Sequence, residues 1–166
     1  MGRRDVAGGE AARVVLENHV RRSGRVIVIH EGRVAMIQRD RAAHTYYVFP
    51  GGGVERDETP DQAAIREAHE ELGISIHPQK LVAIVQWNEH EMYYYQSLMI
   101  GGTFGSGRGP EFHSYTPVRG TYRPVWLDLP SLADFDVRPK ELATALATGT
   151  LFAQTTPLTL TIPTAV

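Results

Sequence analysis

Residues 51–74 read GGGVERDETPDQAAIREAHEELGI, and the rest of the chain is organised around them. Three glycines open the stretch as a turn, a polar extended piece follows, and a helix closes it. Thr59 is placed to cap that helix, and Gln62, three residues on, to reach back to the cap. Pro60 falls at the first helical position, where its missing N–H does no harm. Asp61 sets negative charge at the positive end of the helix dipole, and Gly73 supplies a left-handed stop. The pattern predicts a helix over residues 60–72. At about 100° per residue, Glu67, Glu70 and Glu71 fall within one sector. Ile65, Ala68 and Leu72 fall on the other side, facing a core, and Arg66 can meet Glu70 at the i,i+4 spacing.

Three carboxylates on one stripe repel one another by roughly a few tenths of a kcal/mol per exposed pair. A divalent ion removes that repulsion and keeps the carboxylates ionised. All-oxygen ligands favour a hard ion, Mg²⁺ or Mn²⁺, over Zn²⁺. Alone, a charged run on a helix is most often a face turned to water, so the helix by itself does not decide. Its surroundings do. From Gly52, five residues lead to Glu58 and seven more to Arg66-Glu67; Ala68, His69, Glu70-Glu71, Leu72, Gly73 and Ile74 follow. This resembles the signature of the Nudix hydrolases, GX5EX7REUXEEXGU, where U is a bulky aliphatic residue. Every fixed glycine, glutamate and arginine is present. The one departure is Ala68, where a larger side chain is usual; it is expected to loosen helix packing and touches no charge.

The resemblance implies the α/β Nudix fold, a mixed β-sheet sandwiched between α-helices (α/β/α). It implies hydrolysis of the phosphoanhydride bond in a nucleoside diphosphate linked to another moiety, with Mg²⁺ or Mn²⁺ as cofactor. A diphosphate would be repelled by bare glutamates; a bridging ion neutralises both and lowers the pKa of a bound water. Glu67, Glu70 and Glu71 are the expected metal ligands, and the resemblance adds the carbonyl of Gly51. Arg66 is expected to orient the cluster through charge-assisted bonds, with Glu58 supporting the metals from the helix entrance. The general base is either a box glutamate, Glu67 or Glu70, or a carboxylate from a later loop. Glu111 is the first later-loop candidate, with Glu89 and Glu91 behind it. The resemblance also places a phosphate-binding arginine at Arg39. The backbone amides of Gly52 and Gly53 are free to face phosphate oxygens. Tyr46 and Tyr47 offer rings for a base, and Phe49 reads better as core. The histidines, His44, His69, His90 and His113, read as surface or satisfied core residues.

With 166 residues, 42% of them apolar and 22% charged, the composition is that of an ordinary globular domain. A net charge of −2 offers no basic footprint for long nucleic acid. There is no cysteine, which excludes disulfides and thiolate sites. The first residues, MGRRDVAGGEAARVV, lack the apolar centre of a signal peptide, and no apolar run is long enough to span a bilayer. The expected setting is cytoplasmic, the partner a small nucleoside diphosphate derivative, and a homodimer agrees with the resemblance.

Along the chain, residues 1–22 read as a polar lead with an edge strand at 14–16, residues 23–149 as the domain, and residues 150–166 as a tail. Strands are expected at 25–30, 34–38, 46–49, 81–86, 91–100 and 121–127. Pro124 marks the last of these as an edge or a bulge. Residues 101–110, GGTFGSGRGP, with five glycines, read as a long flexible loop of functional kind. A helical turn at 129–135 and a short helix at 138–147 ended by Gly149 complete the pattern. Two other classes stay open: a Nudix-like domain that binds a nucleotide or sugar-nucleotide without cutting it, and an acidic helix whose ion is structural. The first typically loses box carboxylates, all of which are kept here. Oxidised dNTPs, ADP-ribose, dinucleoside polyphosphates and sugar-nucleotides are all open as substrates.

Overall fold

The β-branched run RVIVIH forms the centre of strand β1 (Arg21–His30), and Glu31-Gly32, both with positive φ, turn the chain into β2 (Arg33–Arg41). The computed structural model describes residues 20–113 and 116–164. In it these two strands pair only beside their turn, Ile29 opposite Val34 and His30 opposite Arg33. Beyond that point they part. β2 runs between β3 (His44–Val48) and β7 (Thr121–Asp128). β1 pairs antiparallel with β4 (Gly51–Gly53) and parallel with β6 (His90–Gly102). β6 is the return of a long hairpin from β5 (Ile74–Trp87). β8 (Val137–Arg138) adds to β3, and β9 (Leu158–Ile162), from the C-terminal tail, adds to β5, both parallel. The result is a mixed, curled sheet.

Strand alternation builds a core on each face. Val26, Val28, Ala35 and Ile37 face helix α1 (Pro60–Glu67) and its continuation, packing on Ala64, Ala68 and Leu72. Ile27, Val34 and Met36 face the other way, onto Leu142, Ala143 and Leu146 of α2 (Lys140–Ala147) and Leu151 of α3 (Thr150–Ala153). The sheet is therefore sandwiched between helices, as expected. β7 stands at an edge beside β2, which is why Pro124 is tolerated in it.

Several local expectations are corrected. The glycine stretch is not a free turn: Gly51–Gly53 is a short strand in register with Ser23, Gly24 and Arg25. The helix reaches Leu72 but changes geometry on the way. After Glu67 it widens to π over Ala68–Leu72, and the Gly73 amide reaches back to the carbonyls of Ala68 and His69. Ile65 does not face a core and is 40% exposed. The buried face is made of Ala63, Ala64 and Ala68 instead, because the helix lies almost in contact with β1 and leaves no room for a larger side chain. For the same reason Ala68 does not loosen the packing. β1, β5 and β6 are all longer than the apolar runs that announced them, and a register shift at Pro78/Lys80 accommodates the proline inside β5. The edge strand expected at 14–16 lies outside the described residues.

Gly24 is where this approach is decided. A Cβ there would lie 2.7 Å from the Ala64 amide nitrogen and overlap the Pro60 carbonyl, both fixed backbone. Gly24→Ala is expected to destabilise the fold by about 1–3 kcal/mol. Gly53→Ala, which meets nothing within 4 Å, is expected to stay within about 0.5 kcal/mol of the parent. Urea unfolding followed by circular dichroism measures both.

Candidate functional site

The acidic end of the helix is assembled around two glycines and one arginine. Gly52 brings the β4 backbone so near the helix that a Cβ there would overlap the Glu67 carboxylate. Next to it the Gly51 amide donates to Glu71 Oε2 at 2.7 Å. Glu67 and Glu71 are only 7% and 6% exposed, unusual burial for carboxylates and sustained here by fixed partners. Gln62 accepts from the Thr59 amide at 2.9 Å, the reciprocal arm of the expected capping box.

Arg66 gathers the remaining acids. Its Nε and Nη2 donate to the two oxygens of Glu58, both at 3.0 Å. Its Nη1 donates to Glu67 at 2.8 Å and to Glu70 at 3.2 Å, and Nη2 also donates to the Gly53 carbonyl at 2.9 Å. The two-pronged bond from Arg66 holds the Glu58 carboxyl below its ordinary value, and the same bond leads the causes that raise Arg66. Glu58, expected beside the metals, is thus the anchor of the arginine. Among the described residues no three His, Asp or Glu side chains are grouped closely enough to hold an ion, and Arg66 pairs with Glu67 and Glu70. The donor set nonetheless fits a hard divalent ion in its chemistry. It is all oxygen, it is partly buried, and side-chain-free backbone is pressed against it.

The glycine-rich segment after β6 is a cap on this helix and not a loose loop. Gly105 N–H donates to the Leu72 carbonyl and Gly109 N–H to the Glu70 carbonyl, both at 2.9 Å. A Cβ on Gly107 would press on the carbonyls of Glu70 and Glu71. Glu111 follows in a 3₁₀ turn, Pro110–His113, and its side chain lies outside the described residues, as does that of His113. Glu89 lies in the β5–β6 turn, where its carbonyl accepts from Arg21 N–H. Glu91 accepts from the Tyr93 hydroxyl at 2.9 Å and lies 3.5 Å from Arg22.

Beside Phe49 and Arg25 lies a cavity of about 450 Å³. Arg25, missed in the sequence, joins the two regions: Nη1 donates to the Phe49 carbonyl at 3.2 Å and to the Gly51 carbonyl at 2.9 Å, and its side chain lines the cavity. The expected metal-ligand carbonyl of Gly51 therefore already accepts one bond, leaving its second lone pair. The only signal of Arg25 in the sequence was a cation between Gly24 and the β-branched run that starts at Val26. Arg39, the expected phosphate-binding arginine, lines the cavity, stacked 3.5 Å over the Tyr122 ring and donating to the Arg119 carbonyl at 2.8 Å. Tyr46 lines the cavity, with Arg138 stacked on its ring at 4.2 Å. Tyr47, one residue on and thus on the opposite face of β3, packs edge-on against the exposed Phe135 and against the edge of the core, and does not line the cavity. Phe49 is 1% exposed, as its core reading required. His69 is exposed, and His44 pairs with Asp136 at 2.7 Å.

A curled mixed sheet between helices, with an Arg-Glu cluster packed on a glycine strand, defines the class. The NUDIX domain model matches residues 20–144, and the chain belongs to that family. It is similar to the 8-oxo-dGTP diphosphatase of Proteus vulgaris, 42% identical over 53 residues, 31% of this chain and 47% of that protein. It is also similar to the phosphatase NudJ of Escherichia coli, 38% identical over 61 residues, 36% of this chain and 40% of that protein. The chain thus spans less than half the length of these curated relatives. Among solved structures, an ADP-ribose pyrophosphatase from Streptococcus suis superposes with a TM-score of 0.60 at 17% identity, covering 86% of this chain and 99% of that one. The Escherichia coli ORF135 protein gives 0.58 at 22%, covering 80% and 91%. At these identities the structural likeness is one of fold. Among the described residues no helix is long and apolar enough to cross a membrane.

The Glu58–Arg66 pair carries a pH signature. Because the folded carboxyl of Glu58 sits below its usual 4.5, its stabilisation is fully present above that value and is lost as pH falls through the lowered one. The stability difference between the parent and Glu58→Gln is expected to be largest above about pH 5 and to shrink steadily below about pH 4.5. Urea midpoints across that range measure it.

Proposed function

We propose that the chain is a metal-dependent pyrophosphohydrolase that cuts the phosphoanhydride bond of a nucleoside diphosphate linked to another moiety. The observation that carries this reading is the pair of buried carboxylates, Glu67 and Glu71, braced against a glycine strand whose Gly51 carbonyl is held by Arg25, a residue that lines an arginine-rich cavity. The names of two similar proteins, a diphosphatase and a pyrophosphatase, support it.

Glu67, Glu70 and Glu71, with the free lone pair of the Gly51 carbonyl, are the residues that would hold Mg²⁺ or Mn²⁺. When bound, the ion supplies charge neutralisation for the diphosphate and an acidified water. The chain's own residues do the rest. Arg66, anchored on Glu58, fixes the direction of Glu67 and Glu70. Gly52 and Gly53, without side chains, let phosphate approach the backbone. Arg39, with Arg25, draws the polyanion to the cavity. Glu67, Glu70 or the later Glu111 takes the proton of the attacking water. Tyr46, in place of Tyr47, offers the ring at the cavity wall.

One observation favours a second reading, a nucleotide-binding domain that does not cut. Arg66 engages Glu58, Glu67 and Glu70, which gives these carboxylates a structural partner within the chain. Metal and turnover separate the two. With Mg²⁺ and a panel of nucleoside diphosphate derivatives, the hydrolase is expected to release phosphate-bearing products. Glu70→Gln and Glu71→Gln are expected to lower the rate about 100-fold or more while the circular dichroism spectrum is kept. Mn²⁺ is expected to raise the parent's melting temperature and not that of Glu67→Gln. Full turnover in either glutamine variant would refute the assignment.

A further inference from the structure

The cavity beside Phe49 and Arg25 has an electrostatic character that the acidic helix does not explain. Three guanidinium groups line it, from Arg25, Arg39 and Arg138. Arg138 is answered: its Nε and Nη2 donate to the two oxygens of Asp136, at 3.1 and 2.7 Å. The other two are not. Among the described residues Arg25 donates only to the carbonyls of Phe49 and Gly51, and Arg39 only to that of Arg119. Among the described residues neither reaches a carboxylate, and the Nε of each is buried without a hydrogen-bond partner. Among the described residues, two half-buried cations thus share one cavity with no carboxylate beside them. A cation without a counter-charge favours an anion that enters its cavity.

The lining is as telling for what it does not contain. Among the described residues no Asp, Glu, Asn or Gln side chain lines the cavity. Those are the side chains that read the amino-bearing edges of adenine and cytosine. What faces a base here is ring surface from Tyr46 and Trp87, and stacking tolerates any base.

Resting on the hydrolase reading, we propose that the cavity selects by anionic charge beyond the scissile diphosphate and not by base. Nucleoside triphosphates of any base are taken in preference to diphosphates capped by a neutral sugar. A further phosphate meets Arg25 and Arg39, whereas a neutral sugar leaves both unpaired.

The test compares kcat/KM in Mg²⁺ for ATP, GTP, CTP and UTP with that for ADP-ribose and UDP-glucose. The four triphosphates are expected to fall within about tenfold of one another and to exceed the sugar-capped compounds by about tenfold or more, the scale of one charge-assisted bond. Arg39→Gln is expected to cut the triphosphate values about tenfold while moving the sugar-capped ones less than about threefold. Should that variant fail to fold, Arg39→Lys, which retains charge and stem, is expected to keep most of the preference. Trp87 lines the cavity, so quenching of its emission reads binding without turnover, with Trp87→Phe as the control. Preference for a sugar-capped substrate, or a base spread well beyond tenfold, would overturn the inference and leave the hydrolase reading standing. Absence of hydrolysis with triphosphate-selective quenching would overturn the hydrolase reading and support the charge selection. Neither hydrolysis nor quenching would overturn both.

Discussion

The backbone of Gly51 is held from both sides. Its N–H is given to the buried carboxylate of Glu71, and its carbonyl accepts from the guanidinium of Arg25. An anion engages the peptide before this residue and a cation the peptide after it, and each needs the bond it gets. A carboxylate 6% exposed has little water to turn to. Much of the geometry follows from this. Helix and strand must lie close enough for a side chain to reach a backbone amide, so the residues between them have to be small. Gly24 and Gly52 on the sheet side and Ala63, Ala64 and Ala68 on the helix side meet that requirement.

The same closeness separates what the sequence made legible from what it did not. Helix α1 could be read because its signals are local: Thr59 and Gln62 at one end, Gly73 at the other. The α/β/α sandwich was implied by the family resemblance that residues 52–74 carry, and strand alternation in β1 and β2 bears it out. The parting of β1 from β2 was not legible. Hairpin signals fix only the turn, and which strand each partner takes beyond it depends on β4, β6 and β7, far off in sequence. Nor was Ile65. Periodicity assigns a face to every apolar residue, but the contact distance was set by Gly24, which has no side chain to announce itself.

At the site, residue types were readable and pairings only in part. The i,i+4 bond from Arg66 to Glu70 is local and is present. The stronger bonds from Arg66 to Glu58 span the helix entrance and depend on how the preceding extended piece folds back. Tyr46 and Tyr47 differ by one residue and so by one face of β3. The parity is set by where that short strand joins β2 and β8, which composition does not carry. Arg25 was read only as the first residue of a strand, because its partners are backbone carbonyls, and carbonyls are everywhere in a sequence.

The acidic cluster also sits at the wrong end of its helix. Negative side chains are disfavoured near a helix C-terminus, where unsatisfied carbonyls already gather partial negative charge. Yet Glu70 and Glu71 fall in the last turn. Two features offset this. Arg66 brings a full positive charge into the cluster, and the glycine-rich segment lays amides onto the terminal carbonyls of Glu70 and Leu72. That second feature explains a segment whose composition suggested a loose loop. Its glycines are needed where the chain must run against carbonyl oxygens without a side chain between, as at Gly107. The π widening belongs to the same arrangement, since it carries Glu71 to the Gly51 amide while Glu70 stays with Arg66. Local rules broken together in one turn, and repaired from two other parts of the chain, are what a folded protein shows where its chemistry and its stability make opposing demands.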